Sequence, residues 1–575
     1  MRHGQQVRLS VALSLIAILA IVGNGHAASI DVTSFGADPG NSSGNAAAIN
    51  SAIEAASPGD VIYIPAGNYQ LDGSIIPKSN IKIVGAGQGQ TTLSYTASTT
   101  GPVVGFRSLS SNVTISDLTI NGNNNPNAID GVLASHDTGL ALNNLGFTNF
   151  VNTTALGPLG VYFSAGVTHS AVTNCTFNNI GTGATFGGGI RFSNGSSYNQ
   201  AVGNVISNTG RGGIFGDSGS GAAASTNLVI ENNVVSGSGG LGLGIEVQGC
   251  PNALIQGNKV DHWISVDTSS NTAVRNNVIS DNTGTFKYAG VELVNSHDVS
   301  ITGNTVSGGA QIGISESNNA GQSTVRTYVA HNTIDSSSTW GVQVQGGAGG
   351  IAQQYFFKNA ILNTIANGPN TLYGPQGQGF RINGNAQNLV LDTNSISNNG
   401  GSGLQTVGSN VTNLRIINNT ITNNGGPSVT AAITASNVRL SANTISGNRS
   451  YSAIAGLSAD AAAPNLTLTA PVTVVAGDTA NFAIDFTSAG SPLANVLWDF
   501  GNGLPMAATD TSASYVYDTP GTYTMAVVAW DANGNAAQSE ATINVIDSVP
   551  EPVTASLALS GVALLGMRRR RVVLR

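Results

Sequence analysis

The sequence is poor in charge, in helical periodicity and in long hydrophobic runs. Charged side chains make up 9% of its 575 residues, against about 25% in an average globular protein. Almost no segment has apolar residues at helical spacing, which excludes a helical bundle. Its two terminal apolar runs hold about 12 and 15 residues, fewer than the about 20 that span a bilayer comfortably.

Glycine and a repeated asparagine phrase are abundant instead. There are 74 glycines, and the phrase reads Asn, a spacer, Val or Ile, then usually a small hydroxyl residue. Successive copies lie 19 to 35 residues apart, which is the period of one solenoid turn. The asparagines are Asn204, Asn233, Asn258, Asn277, Asn304, Asn332, Asn359, Asn394, Asn419 and Asn443.

Each repeat holds short runs that alternate with period two, as strands do. In the unit that starts at Asn277 these runs are residues 278–279, 290–293 and 299–301. One such unit cannot bury its apolar face alone and must stack on its neighbours. We therefore predict an all-β parallel β-helix with three strands per coil, in which the asparagines form a hydrogen-bonded ladder along the axis.

These phrases resemble the repeats of the pectin-lyase-like superfamily. Segments 30–37, 45–56 and 60–69 are similar to the start of pectate-lyase-like domains in polygalacturonases and phage tailspikes. The resemblance implies a right-handed parallel β-helix over residues 29–454, with a short N-terminal helix whose Ile49, Ile53 and Ala56 cover the open end. Residues 41–45 depart from the family, which often has acidic residues there.

Both ends of the chain look like export signals. Residues 1–28 have the basic start, apolar core and small-residue cleavage site of a secretory signal peptide. Residues 548–575 combine Val549-Pro550-Glu551-Pro552, an apolar stretch and Arg568 to Arg571. That layout resembles the PEP-CTERM sorting signal, which implies an exosortase-type sorting enzyme as partner, transient membrane association through the tail, and the surface or matrix of a Gram-negative bacterium. A plain tail anchor is the alternative.

Removal of these ends changes the charge. They carry seven of the 21 basic residues and one of the 29 acidic residues, so the mature protein would have a net charge of −14 instead of −8. We therefore expect no nucleic acid partner. Cys175 and Cys250 lie about three coils apart, which exceeds the about 7 Å that a disulfide can bridge between α-carbons. Both are predicted to be unpaired.

A second domain is predicted before the tail. Residues 455–466 read as a linker, and residues 467–547 as a series of short alternating strands. Within them, Trp498-Asp499-Phe500-Gly501-Asn502-Gly503 and residues 515–525 resemble the PKD (polycystic kidney disease) repeat, an immunoglobulin-like β-sandwich. Asn502 replaces an Asp that the family usually has. Trp498 is expected in the sandwich core.

The second run of each coil predicts an outward stripe of side chains. Successive coils contribute Tyr162, Arg191, Phe215 with Asp217, Glu246, Asp267, Glu292 and later Arg381. Four acids on consecutive coils of a charge-poor chain are the catalytic candidates, with a nearby histidine as a further acid or base: Asp217, Glu246, Asp267, Glu292 and His262. Candidate substrate-binding residues are Arg191, Tyr162, Phe215, Lys287, Tyr288 and Arg381.

Several chemistries fit these residue types. Glycoside hydrolysis needs two carboxyl groups, about 5 Å apart for retention and about 6.5 to 9.5 Å for inversion. A lyase or epimerase needs a base and a cation for the substrate carboxylate, and carboxylates could instead bind Ca²⁺. No family catalytic motif is intact, and Ser135-His136-Asp137 only partly matches the Asp-Pro-His-Asp of alginate epimerases.

The sequence therefore leaves two hypotheses. The first is an exported, surface-sorted protein that acts on extracellular polysaccharide as a hydrolase, lyase or epimerase. The second is a non-catalytic polysaccharide-binding, adhesion or biofilm-matrix protein, in which the β-helix is a stiff rod and the acids are solvated surface residues. Carboxylates that converge in a groove with aromatic neighbours would favour the enzyme, and side chains splayed on a flat face would favour the rod.

Overall fold

The computed structural model describes most of the chain between residues 27 and 547. The described ranges are 27–96, 103–151, 157–181, 187–219, 223–239, 242–280, 288–308, 310–319, 321–366, 376–407, 410–425, 429–430, 436–449 and 463–547. Nearly all of the predicted signal peptide, most of the linker, the predicted sorting signal and Lys287 lie outside these ranges.

Strands dominate the described residues, with one α-helix, α1 (Ala46–Ala55), and one 3₁₀ turn (Val32–Phe35) near the N-terminus. The strands before the regular coils are β1 Ser29–Asp31, β2 Val61–Ile64, β3 Gly67–Leu71, β4 Lys82–Gly85, β5 Thr91–Tyr95, β6 Val103–Ser108, β7 Thr114–Asn121, β8 Ala128–Ser135 and β9 Ala141–Phe150. The regular coils follow as β10 Leu159–Ala165, β11 Ala171–Thr173, β12 Thr176–Ile180, β13 Gly188–Phe192, β14 Gln200–Val202, β15 Val205–Thr209, β16 Gly212–Asp217, β17 Val229–Glu231, β18 Val234–Ser238, β19 Leu243–Gln248, β20 Leu254–Gln256, β21 Lys259–Val260, β22 Trp263–Asp267, β23 Ala273–Arg275, β24 Val278–Ser280, β25 Ala289–Val294, β26 His297–Thr302, β27 Thr305–Ser307, β28 Ile312–Ser317, β29 Thr324–Ala330 and β30 Thr333–Asp335. The last coils contain β31 Trp340–Phe357, β32 Ala360–Leu362, β33 Gln378–Asp392, β34 Ser395–Ser397, β35 Leu404–Val407, β36 Val411–Ile417, β37 Thr420–Thr422, β38 Val429–Thr430, β39 Ser436–Ser441 and β40 Thr444–Ser446. The C-terminal strands are β41 Asn465–Thr469, β42 Thr473–Val475, β43 Thr479–Thr487, β44 Leu493–Asp499, β45 Met506–Ala508, β46 Ser512–Val516, β47 Gly521–Asp531 and β48 Ala536–Ile546.

The regular coils have three strands each, as predicted. From β10 to β28 every strand pairs in parallel with the third strand along the chain, so three sheets run along the axis. The first sheet contains β10, β13, β16, β19, β22, β25 and β28, the second begins with β11, and the third with β12. The strands β31 and β33 turn a corner, because each pairs with one strand of the first sheet and one of the second. The predicted parallel β-helix is confirmed.

The asparagine ladder runs through a buried corner of the coils. Asn277 donates its backbone N–H and its Nδ2 to Asn304 Oδ1, both at 3.0 Å, and Nδ2 also donates to the Ile255 carbonyl at 3.0 Å. The same pattern links Asn204 through to Asn443. Because every amide group is satisfied, the ladder fixes the register in which coils stack. Cys175 occupies the preceding position and donates its N–H to Asn204 Oδ1, and both cysteines are free and buried.

Replacement of one ladder asparagine is expected to destabilise the protein strongly. Asn277→Ala removes the acceptor of two Asn258 groups and the donor to the Ile255 carbonyl. Since each buried polar group left without a partner costs about 1 to 3 kcal/mol, we expect a loss of about 3 kcal/mol or more. Urea denaturation followed by circular dichroism measures it.

The neighbouring residue supplies a matched control. Asn276 is exposed, with φ of 53°, and Gly303 holds the equivalent position one coil later with φ of 66°. Asn276→Gly should therefore leave stability within about 0.5 kcal/mol of the native protein. Equal losses for both variants would contradict the assigned role of the ladder.

The helix α1 closes the N-terminal end of the core, as predicted. Its Ile49, Ala52 and Ile53 are at most 1% exposed and belong to the same apolar cluster as Val32 and Ile62 of the first coil. Asn45 precedes the helix and accepts the backbone N–H of Asp38 at 2.7 Å. The first coil therefore meets packed side chains instead of solvent at that end.

One carboxyl group interrupts the apolar interior. Glu316 aligns with Leu293 and Val344, which both point into the core. It is fully buried, and neither carboxyl oxygen has a hydrogen-bond partner among the described residues. Burial raises the pKa of Glu316 from 4.5 to about 8. The carboxyl group is therefore protonated in the folded protein at neutral pH.

Glu316 should make stability depend on pH. Below pH 4.5 the group is protonated in both states, so its ionisation has no effect on folding. As pH rises from 4.5 to about 8, only the unfolded chain ionises, and stability falls by about 1.4 kcal/mol per pH unit. We expect Glu316→Leu to stabilise the protein by about 3 kcal/mol more at pH 7 than at pH 4.5. Denaturation at both pH values measures this difference. Glu316→Gln should show the same pH effect, because glutamine does not ionise either. A stability difference between variant and native protein that does not vary with pH would refute the prediction.

The C-terminal strands form a sandwich of a three-stranded and a five-stranded sheet, in the orders β41-β43-β46 and β42-β48-β47-β44-β45. Trp498 is 0% exposed in its core, as predicted. The outer face of the larger sheet packs on the second sheet of the β-helix. This docking interface contains Leu497, Ala526, Val528, Trp530 and Ala536 from the sandwich, and Tyr328, Ala330, Tyr355, Phe357 and Val390 from the β-helix.

Buried polar contacts accompany that apolar docking interface. Arg275 donates to Asp499 Oδ1 at 3.1 Å and to the Gly503 carbonyl at 2.5 Å, with side chains 2% and 5% exposed for Arg275 and Asp499. Glu540 accepts from Tyr328 Oη at 3.0 Å, contacts His331 Nε2 at 2.5 Å and forms an ion pair with Lys358. Apolar and polar contacts thus hold the larger sheet of the sandwich against the second sheet of the β-helix. No described helix is long and apolar enough to cross a membrane.

Candidate functional site

The outward positions of the first sheet form two adjacent columns along the axis. The first column runs Tyr162, Arg191, Phe215, Glu246, Ser265, Glu292, Ser315, Gln343, Arg381 and Gln405. The second runs Asp217, Gln248, Asp267, Val294, Ser317, Gln345, Asn383 and Val407. We call the part that carries Asp217, Glu246, Asp267 and Glu292 the acidic face. Its four carboxylates alternate between the columns on four consecutive coils.

Asp217 closes the N-terminal side of the acidic face in an ion pair. Arg191 Nε donates to Asp217 Oδ2 at 2.7 Å, and Ser193 Oγ donates to the same oxygen at 2.8 Å. The Arg191 guanidinium also lies 5.9 Å from the centre of the Tyr162 ring. Burial raises the pKa of the Tyr162 hydroxyl, which stays protonated as a hydrogen-bond donor. Arg191, Tyr162 and Asp217 therefore form one contiguous group.

Glu246 lies one coil further on and has a cation of its own. Its carboxylate is 3.6 Å from the Arg211 guanidinium, and their side chains are 19% and 24% exposed. Burial raises the pKa of Glu246, Arg211 opposes that effect, and the nearby charges of Asp267 and Asp217 add to it. Glu246 is thus an ionisable group whose proton affinity is tuned by its neighbours, as a catalytic carboxyl group requires.

Glu292 lies two coils beyond Glu246 in the same column. It accepts a hydrogen bond from Ser265 Oγ at 2.8 Å. Burial raises the pKa of Glu292 to about 7, with Asp267 and Glu246 adding to the shift. Asp267 accepts from Gln248 at 3.1 Å and from Thr268 Oγ1 at 2.8 Å. Alternate coils put the backbones of Glu246 and Glu292 about 9.6 Å apart.

Two of the predicted residues are packed away from solvent. Phe215 is 7% exposed and lies flat over Gly188 and Gly212, where an added Cβ would be 2.8 Å from its ring. The side chain of His262 is 1% exposed, its Nδ1 is 3.4 Å from Asp261 Oδ1, and its ring packs against Gly242. The structure therefore does not bring His262 onto the acidic face.

The remaining predicted residues lie at the C-terminal side. Tyr288 is half-buried, 5.5 Å from the Trp263 ring, and its hydroxyl is 3.5 Å from Ser315 Oγ. Arg381 is three coils beyond Glu292, and its guanidinium lies 4.3 Å from the Trp340 ring. Tyr288 thus borders the acidic face, whereas Arg381 does not.

Asp130 is a titratable residue that sequence reasoning missed. It lies on the same sheet two coils before β13, is 4% exposed, and accepts the Leu159 N–H at 3.0 Å. Burial raises the pKa of Asp130 to about 7, against the opposing charges of Arg107 and Arg191. It lies three residues before Leu133, which aligns with Tyr162 of the first column, and an acid so close to the column in a charge-poor chain was the available signal. The motif-like Asp137, in contrast, is buried in a turn, where it accepts from Ser108, Ser110 and Ser135.

The acidic face does not gather ligands for one metal ion. Among the described residues, no three His, Cys, Asp or Glu side chains lie close enough to hold a metal. Ca²⁺ takes six to eight oxygen ligands, whereas these carboxylates are spread over four coils.

Family models match most of the chain in four overlapping segments. Residues 29–263 match "Rhamnogalacturonase A/epimerase, pectate lyase-like", and residues 319–470 match "Right handed beta helix region". Residues 461–545 match the PKD domain, and residues 209–385 match "Periplasmic copper-binding protein (NosD)". Copper sites use soft or imidazole ligands. Residues 209–385 contain no methionine, one cysteine (the buried Cys250) and three histidines, His262, His297 and His331, and no three His, Cys, Asp or Glu side chains of their described part lie close enough to hold a metal.

Individual relatives match shorter stretches. The chain is 39% identical over 107 residues to mannuronan C5-epimerase AlgE3 of Azotobacter vinelandii, covering 16% of this chain and 6% of that protein. It is 35% identical over 125 residues to alginate lyase 7 of the same organism, covering 19% and 15%. The chain thus spans a small part of these relatives.

A solved structure, the A-module of the Azotobacter vinelandii epimerase AlgE6, is 16% identical and covers 72% of this chain and 98% of that one, with a TM-score of 0.34. The stacked parallel strands of the structure lie in the residues that the β-helix family models match. The chain therefore contains a pectate-lyase-like right-handed parallel β-helix followed by a PKD domain.

Proposed function

We propose that the protein acts on an extracellular polysaccharide by acid–base catalysis at the acidic face. The observation that carries this proposal is the alternation of four carboxylates on consecutive coils, with Glu246 and Glu292 both largely withdrawn from water. Such pairs of tuned carboxyl groups are the means by which glycosidic bonds are hydrolysed. The local matches to a mannuronan epimerase and an alginate lyase support a polysaccharide as substrate.

Glycoside hydrolysis fits the two glutamates best. Glu292, whose pKa of about 7 keeps much of it protonated near neutral pH, is the general acid. Glu246 is the base that activates water. Their spacing on alternate coils approaches the about 6.5 to 9.5 Å of inverting enzymes. Elimination or epimerisation would need a cation for the substrate carboxylate, but Arg191 and Arg211 already face Asp217 and Glu246.

Export follows as part of the same proposal. The predicted signal peptide and the predicted PEP-CTERM tail would deliver the protein to the surface or matrix of a Gram-negative bacterium, where an exosortase-type enzyme would process it. Processing can be followed by mass spectrometry of the protein recovered from cells. Retention of residues 548–575 in the surface form would contradict the sorting step.

The activity can be tested with a panel of neutral and acidic polysaccharides. The purified protein is incubated with each, and reducing ends and the absorbance of unsaturated uronates are measured. Reducing ends without that absorbance support hydrolysis, and both together indicate a lyase instead. No change in either signal, with no epimerisation by NMR, would refute catalysis and leave the matrix or adhesion protein.

A further inference from the structure

The two columns continue beyond Glu292 as a tract without carboxylates. We call this the neutral tract: Ser315, Ser317, Gln343, Gln345, Asn383 and Gln405, with Arg381 of the first column between Gln343 and Gln405. It covers four consecutive coils, about 14 Å along the axis. Hydroxyl and amide groups can both donate and accept hydrogen bonds. This set of side chains therefore suits a ligand that presents hydroxyl groups.

An apolar cluster lies beside the neutral tract. It contains Tyr288, Ala289, Ile312 and Trp340, next to the first column. Ser315 and Gln343 are each 1% exposed, while Gln345 is exposed and Asn383 half-buried. A wall of apolar and aromatic groups beside a few placed polar groups is typical of binding clefts. Pyranose rings, with apolar faces and hydroxyl edges, match both surfaces.

One buried acceptor of the tract has no partner among the described residues. Gln343 Nε2 donates to Gln345 Oε1 at 2.5 Å, but Gln343 Oε1 is buried with no hydrogen-bond partner among the described residues. Buried acceptors are nearly always satisfied by protein, water or ligand. A sugar hydroxyl or a water molecule could donate to this oxygen. The acceptor is thus an observation that does not depend on the composition of the tract.

The charges of this face favour an uncharged ligand. A polyuronate carries a carboxylate on every sugar, which the acidic face beside the tract would repel. The Arg381 guanidinium, on the same coil as Asn383, stacks 4.3 Å from the Trp340 ring. Within the described residues, Asp267 and Glu292 have no ion-pairing cation. The acidic face therefore disfavours a chain with closely spaced carboxylates next to the tract.

We propose that the neutral tract binds an uncharged segment of polysaccharide and so selects neutral chains for the acidic face. This inference rests on the proposed function, because the tract is read as the extension of that site. Binding would lay the chain along the axis, with its reacting bond over Glu246 and Glu292 and several sugars held on the C-terminal side.

Affinity electrophoresis tests the proposal. The full-length protein, as Glu292→Gln to prevent turnover, is run through gels that contain neutral or acidic polysaccharides at low and high salt. We expect retardation by a neutral polysaccharide that is unchanged by salt. Gln345→Ala with Asn383→Ala should weaken it at least about tenfold, because two hydrogen bonds are lost. The control Gln200→Ala, an exposed glutamine on the second sheet, should have no effect.

The outcomes separate this inference from the proposed function. Salt-resistant neutral binding that needs Gln345 and Asn383, together with no turnover of any polysaccharide by the native protein, supports the tract and refutes the catalytic proposal. Turnover of a polyuronate with no binding of neutral chains refutes the tract and leaves catalysis standing. Retardation only by acidic polysaccharides, or binding indifferent to both substitutions, also overturns the inference.

Discussion

Glu292→Gln is expected to reduce polysaccharide turnover by about 10² to 10⁴-fold, the usual contribution of a general acid. The substitution keeps the shape and the Ser265 hydrogen bond but removes the only proton that the group can transfer. Since Glu292 holds the acid role, its pKa of about 7 should also appear in the pH profile. Turnover should fall as pH rises through about 7, because the acid loses its proton.

Initial rates of reducing-end release between pH 4 and 9 measure both effects. Glu246→Gln should cause a loss of similar size, with KM changed little, since the base acts on water rather than on substrate binding. Glu231→Gln, on the second sheet of the coil that contains Asp217, is the matched control and should retain full activity. Normal turnover by Glu292→Gln would show that another residue is the general acid. The same conclusion would follow if turnover by this variant still fell with the same apparent pKa as pH rises.

The sequence predicts the coil register well because the signal is local. Each ladder asparagine stands two residues before a Val or Ile, which marks the same point of every coil. Period-two alternation then places Glu246 and Glu292 on one column. The burial of an individual side chain is harder to predict from the sequence. The sequence marks His262 as a candidate acid or base and gives no sign that Glu316 is buried, yet His262 packs against Gly242 and Glu316 points into the core, because neighbouring coils decide which side chains are covered.

Docking of the PKD domain could not be predicted for a different reason. Arg275 ends a short strand and reads as an ordinary exposed cation, and its partner Asp499 is 224 residues away. Contacts between distant segments leave no periodic pattern in either one. The outward-facing apolar column of Tyr328, Tyr355 and Val390 could have been inferred from the second sheet, but the PKD surface that covers it could not.

Arg275→Ala is expected to destabilise the protein by about 3 to 5 kcal/mol, the loss found when one partner of a buried ion pair is removed. Asp499 would keep the hydrogen bonds from Ser300 and from the Gly501 N–H, but its charge would stay buried without a cation. The Gly503 carbonyl would lose its donor as well. The free energy that links the PKD domain to the β-helix therefore depends on this residue.

Differential scanning calorimetry measures the effect on both domains. The native protein should melt with the two domains coupled, whereas Arg275→Ala should release the PKD domain in a separate, earlier transition. Arg275→Met combined with Asp499→Leu should recover much of the loss, since an apolar pair removes the uncompensated charge while Leu497, Val528 and Trp530 continue to pack. If Arg275→Ala stays within about 0.5 kcal/mol of the native protein, the apolar contacts alone hold the domain in place.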